Sequence, residues 1–146
     1  MDRISREMRS ALMSKVRGKD TGPEMAVRRL THRLGYRYRL HVKNIPGCPD
    51  IVFPSRHKVI FVHGCFWHRH RCPSGREIPK SRKNFWLLKL NRNRERDAIN
   101  KRLLRRTGWD VLVIWECQTS DLRNLESRLI RFLDPPGEKM RRLQLP

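Results

Sequence analysis

The 146 residues suit one domain with a single packed core. Against 14 Asp and Glu the chain carries 34 Lys and Arg, a formal charge of +20 at pH 7, so its surface is built to meet a polyanion. No apolar run of about 18 residues marks a membrane span, and MDRISREMRS lacks the apolar stretch of a secretion signal, so a reducing cytoplasm is expected, where a cysteine cluster more often binds metal than forms disulfides.

Ile4, Met8, Ala11, Leu12 and Val16 recur at helical spacing among Arg, Lys and Ser, which predicts an amphipathic helix within residues 1–20 whose basic face can lie on DNA. Thr21-Gly-Pro-Glu24 has the form of a capping box, opening a helix with Met25, Leu30 and Leu34 on its buried face and Gly35 at its close. From Tyr36 the period drops to two: Tyr36, Tyr38, Leu40 and Val42 alternate with Arg37, Arg39 and His41, as in a strand with one buried face. After a turn at Asn44–Cys48, two short strands are predicted at Ile51–Phe53 and Val59–Val62, with Pro54–His57 turning between them. Gly64 to Pro79 is polar and irregular, and Ser81 is placed as the cap of a long basic helix reaching about Arg106. Trp109–Trp115 is apolar apart from Asp110, too continuously so for an exposed strand, which predicts a central strand. Leu122, Leu125, Leu129 and Phe132 mark a last helix, and a flexible tail is expected from residue 135. The order predicts one α/β domain over residues 1–134, with a mixed sheet of about four strands flanked by helices.

Two groups of residues carry chemistry. Cys65, His70, Cys72 and Cys117 supply three thiolates and one imidazole, the closed tetrahedral set of a structural zinc site. Cys48 is left over and reads as a turn residue. The second group begins with Pro49-Asp50 at the start of a strand, and the order of elements resembles the PD-(D/E)xK, restriction-endonuclease-like nucleases. At the family's acidic-x-Lys position this chain has Phe61-Val-His63, so the second carboxylate and the lysine are missing. Mg²⁺ held by Asp50 and a backbone carbonyl can replace the lost charge, and a histidine, His63 or His68, must then act as base.

His63-Gly-Cys-Phe-Trp-His-x-His-x-Cys72, preceded by Pro-Gly-x-Pro-Asp50 and followed by Phe85-Trp86, Asn93-x-x-Arg-Asp97 and Val113-Ile-Trp-Glu-Cys117, resembles the very-short-patch repair endonucleases over residues 5 to 133. The resemblance implies a Mg²⁺ ligand at Asp50, a second at the Val62 carbonyl, a general base at His68, and further active-site roles for Glu24, His63 and Asp97. It maps an aromatic wedge onto Phe66, Trp67 and Trp86, leaving Trp109 and Trp115 to the core. It also implies nicking 5′ of the T in T:G mismatches, a double-stranded DNA partner, and association with a DNA cytosine-5 methyltransferase system and with downstream polymerase and ligase. Bacterial cytoplasm, at the nucleoid, and a monomer are expected. The alternatives are a related nuclease without mismatch specificity and a non-catalytic zinc-containing DNA-binding module.

Overall fold

The computed structural model describes residues 21–134; the predicted basic helix of residues 1–20 and the predicted tail lie outside them. Helix α1 spans Gly22–Arg33, and its N-cap Thr21 accepts the N–H of Glu24 at 3.3 Å, as a threonine cap should. Gly35, at φ 91°, closes it in a left-handed turn that favours glycine. Val27 and Leu30 are the apolar residues buried on its inner face. Met25 and Leu34, expected there, are half-buried, because the inner face is rotated toward Glu24, Val27 and Thr31.

Strands β1 (Arg39–Leu40), β2 (Ile51–Phe53), β3 (Lys58–His63) and β4 (Asp110–Trp115) form one sheet in that order. The first two pairings are antiparallel and the third is parallel, giving the predicted mixed sheet. β1 is far shorter than the predicted Tyr36–Val42 strand, since its partner β2 offers only three residues and the chain turns at His41. β4 lies at the edge and not in the centre. Its continuous apolar run reflects cover on both faces rather than two strand neighbours. Leu112 and Ile114 join a core layer with Val27, Leu30, Leu125 and Leu129, while Val111 and Val113 join another with Val52, Val59 and Leu104.

After the one-turn helix α2 (Pro73–Arg76), helix α3 spans Lys83–Arg106, and α4 spans Leu122–Leu133 behind the 3₁₀ turn Glu116–Gln118. The cap of α3 is Arg82, in a left-handed conformation with φ 58°, and not Ser81, which lies one residue outside. Helix α3 buries Leu104 on one face of the sheet; α1 and α4 bury their apolar sides on the other. Arg56 and the buried Lys58 donate to the carbonyls of Leu133 and Phe132, placing cations at the negative end of α4. The sheet is therefore clamped from both sides, and its β2–β3 end is left open to build a site.

Candidate active site

The β2–β3 register, Ile51 opposite Ile60, leaves Asp50 beside the end of β3. There its Oδ2 accepts the N–H of Val62 at 2.7 Å. Both residues line an open cleft of about 280 Å³ that is also lined by His63, His68, Asp97 and Lys101. After His63 the chain doubles back, with the N–H of His68 donating to the Gly64 carbonyl at 3.2 Å. The turn stacks the two imidazoles in parallel, centroids 3.8 Å apart and planes within 6°. Asp97, reaching in from α3, is hydrogen-bonded to Nδ1 of His68.

The two histidines differ in what they can do. His63 is 5% exposed, and burial, followed by the charge of the adjacent His68, pushes its pKa down to about 3. It is a neutral platform. His68 is half-buried and paired with the Asp97 carboxylate.

Glu24 is 2% exposed, and its Oε2 lies 3.1 Å from both Arg28 Nη1 and His41 Nε2. With His41 and Asp50 it forms a set whose donor atoms all fall within 4.8 Å of one another. Burial raises the pKa of Asp50 to about 7, the Val62 N–H opposes that rise, and the neighbouring Glu24 adds to it. Two carboxylates and a peptide carbonyl offer the oxygen donors that suit a hard divalent ion.

The second cluster lies on the other side of Trp115, whose ring stacks on His70 at 4.3 Å and meets His63 edge-on at 5.2 Å. Donor atoms of Cys65, His70, Cys72 and Cys117 all lie within 4.8 Å of one another. Nδ1 of His70 is 3.7 Å from the Cys65 sulfur and 3.5 Å from that of Cys117. Zinc bonds of about 2.0–2.3 Å to tetrahedral ligands separate those ligands by roughly 3.3–3.8 Å, so this set fits zinc. Gly75 is required beside it, because a Cβ there would meet the His70 carbonyl oxygen at 1.9 Å. Burial, with the neighbouring thiols adding, pushes the Cys65 thiol up to about 12.

A third group is aromatic. Phe66, Trp67 and Trp86 bring their ring centroids within 5.1–5.9 Å of one another. Lys89 Nζ lies over both indoles, at 5.6 and 5.7 Å, and Asn93 donates to the Trp67 carbonyl at 3.3 Å. All three rings are partly exposed.

A family model described as DNA mismatch endonuclease Vsr matches residues 1–74, just over half of the chain. Over 134 residues the chain is 55% identical to the type II nicking enzyme V.XorIIP of Xanthomonas oryzae pv. oryzae, covering 92% of this chain and 98% of that one. The chain belongs to the Vsr family. Within the Vsr family it is also 41% identical over 132 residues to the type II nicking enzyme V.NmeAIP of Neisseria meningitidis, covering 90% and 94% of the two chains. It is 39% identical over 109 residues to the DNA mismatch endonuclease Vsr of Escherichia coli, covering 75% and 69%.

Every site residue expected from the sequence falls into one of these three groups of the Vsr-family fold. Asp50, Val62, His63, His68 and Asp97 share the cleft, with Glu24 behind Asp50; the four zinc-type donors converge; the three wedge aromatics are in contact. Cys48 is the exposed turn residue expected, at φ 46°. Four contributors were missed, and one of them, Lys101, adds a cation to the lining of the cleft. Trp115, assigned to the core, is the wall between the two clusters. Glu116 accepts the N–H of Cys65 at 3.3 Å and ties the loop to the end of β4. His41 reaches Glu24, although the alternation of its segment assigns it to the solvent face, and no local signal separates it from Arg37 and Arg39.

Proposed function

We propose that this chain is a DNA endonuclease that nicks one strand of a duplex 5′ of the T in a T:G mismatch, as arises from deamination of 5-methylcytosine, and so starts very-short-patch repair. The observation that carries the reading is the His68–Asp97 pair set in one cleft with Asp50. In support, the Escherichia coli relative is named a DNA mismatch endonuclease and two others are named nicking enzymes.

Asp97 fixes His68 through Nδ1, which leaves the lone pair of the neutral ring on Nε2 to take a proton from an attacking water. A base so placed contributes about 10²–10⁴-fold. The neutral His63 beneath it avoids a second positive charge as that proton arrives. Lys101 sets a cation in the cleft for phosphate. Asp50, the Val62 carbonyl and Glu24 would hold Mg²⁺, which would supply positive charge against the negative charge that develops on the phosphate. Zinc at Cys65, His70, Cys72 and Cys117 fixes the loop that carries Phe66, Trp67 and His68. Inserted aromatic rings cost least where a mismatch has already weakened stacking, so the wedge favours T:G over C:G. The enzyme acts as a monomer in the bacterial cytoplasm, after a cytosine-5 methyltransferase and before polymerase and ligase.

The test is strand-resolved nicking with Mg²⁺ on duplexes that differ only in T:G or C:G. A single nick 5′ of the T in the mismatched duplex alone is expected. In the same assay Trp67→Ala should lower the T:G preference about tenfold or more, from lost stacking. Equal cutting of both duplexes would make the chain a nuclease without mismatch specificity, and no Mg²⁺-dependent product would make it a binding module.

A further inference from the structure

His41 stands apart from the residues that the proposed reaction uses, yet it touches two of them. Strand β1 stops at Leu40, and the chain turns through His41 at φ 49°, a conformation that residues with a side chain rarely adopt. The turn has two consequences. The backbone N–H of His41 donates to the Asp50 carbonyl at 3.3 Å, and the ring swings off the face that the alternation assigns it, bringing Nε2 to 3.1 Å from Glu24 Oε2. One residue thereby joins helix α1, the end of β1 and the segment that carries Asp50.

Glu24 needs such a hold. It is 2% exposed and shares a donor set with Asp50, so two carboxylates sit side by side with little water to separate them. Left to themselves, like charges this close drive one another apart or take up a proton. Arg28, one helical turn along α1, grips the same Glu24 oxygen at 3.1 Å from its own side. Nε2 of His41 lies equally close to that oxygen, at 3.1 Å, so the carboxylate has a nitrogen beside it from helix α1 and another from the end of β1. Imidazole is a poor ligand for a hard cation that prefers oxygen, which favours a role for His41 through Glu24 rather than on the ion.

We propose that His41 is a positioning residue of the cation site: its ring holds the Glu24 carboxylate beside Asp50, so that both acids offer oxygen to one divalent ion. The inference rests on the reading of Asp50 as a cation ligand. Partners that orient metal-binding groups typically carry about 10–100-fold in metal affinity.

The experiment uses the full chain, loaded with zinc, and Mn²⁺ as a paramagnetic stand-in for Mg²⁺, with free Mn²⁺ read by electron paramagnetic resonance in the absence of DNA. His41→Gln and His41→Met have side chains of similar length and bulk, but only Gln keeps a polar donor able to reach Glu24. His41→Met should weaken Mn²⁺ binding about tenfold and raise the Mg²⁺ needed for half-maximal nicking by a similar factor, with the rate at saturating Mg²⁺ restored to within about twofold. His41→Gln should stay within about threefold of the unaltered protein in both readouts. Equal Mn²⁺ affinity of the Met and Gln variants, at whatever level, would overturn the role of His41. Asp50→Asn should abolish binding at this site; if it binds Mn²⁺ as the unaltered chain does, the reading of Asp50 itself fails, a result distinct from failure at His41.

Discussion

Among the described residues, the sulfur-rich group of metal-type donors lies on one side of Trp115 and the two groups around the cleft on the other, and they are assembled in opposite ways. The sulfur-rich cluster takes Cys65, His70 and Cys72 from eight consecutive residues, and only Cys117 arrives from elsewhere. The cleft takes Asp50 from the start of β2, with Glu24 of α1 behind it, His63 and His68 from the end of β3 and the loop after it, and Asp97 from α3. The first is a complete set of soft donors with no open position, so an ion bound there would be part of folding. The second is a sparse set of oxygens and imidazoles that leaves room for water and phosphate. Its ion should exchange freely, and its geometry comes from the rest of the fold.

The largest effect expected from this contrast is at Cys117. Cys117→Ser removes the one zinc-type donor that comes from outside the loop, so zinc should be lost from the purified protein and nicking with it, and amides of residues 64–72 should exchange rapidly with solvent. Zinc measured by elemental analysis at the unaltered level would remove Cys117 from the set. Next come changes that disable the cleft and leave the zinc in place. His68→Ala should lower the nicking rate about 10²–10⁴-fold, and Asp97→Asn about 10–100-fold by releasing the ring it orients, both with T:G duplex binding and zinc content intact. A full single-turnover rate in His68→Ala would take the base role from this residue.

The same contrast explains what could be read from the sequence. Ligands crowded into a short loop leave a spacing that coordination chemistry alone makes meaningful, so Cys65, His70 and Cys72 stood out, and Cys117 followed from the count of four. The residues of the cleft carry no such spacing. Asp50 and His68 were found through their neighbours' resemblance to a family, and Glu24 sits where a capping box also wants a glutamate, so its inward turn is visible only in the fold. His41 was missed because a strand pattern assumes a strand, and β1 ends one residue before it. The misplaced β4 has a similar cause: an apolar run reports that both faces are covered, and helices cover an edge strand as well as a central one.

The smallest and most graded effect expected is a competition between protons and the cation of the cleft. Asp50 has its pKa raised to about 7 by burial first and by Glu24 as well, so without a bound ion it holds a proton through the acid range. A folded-state pKa above the unfolded one means that the contribution of Asp50 to the stability of the metal-free protein is fully present below about pH 4 and is lost as pH rises through 7. Cation binding runs the other way, because the ion must displace that proton. The Mg²⁺ concentration for half-maximal nicking should therefore be flat above about pH 7 and rise about tenfold for each unit below it. Glu24→Gln removes the neighbouring charge but not the burial, so the break should move to lower pH without reaching the usual carboxylate range. Zinc content should stay constant from pH 6 to 8 in both proteins, since its thiolates are held by an ion that does not exchange. A break that stays at the same pH in Glu24→Gln would mean that Glu24 does not share a charge environment with Asp50, and the cleft would then be built on one carboxylate rather than two.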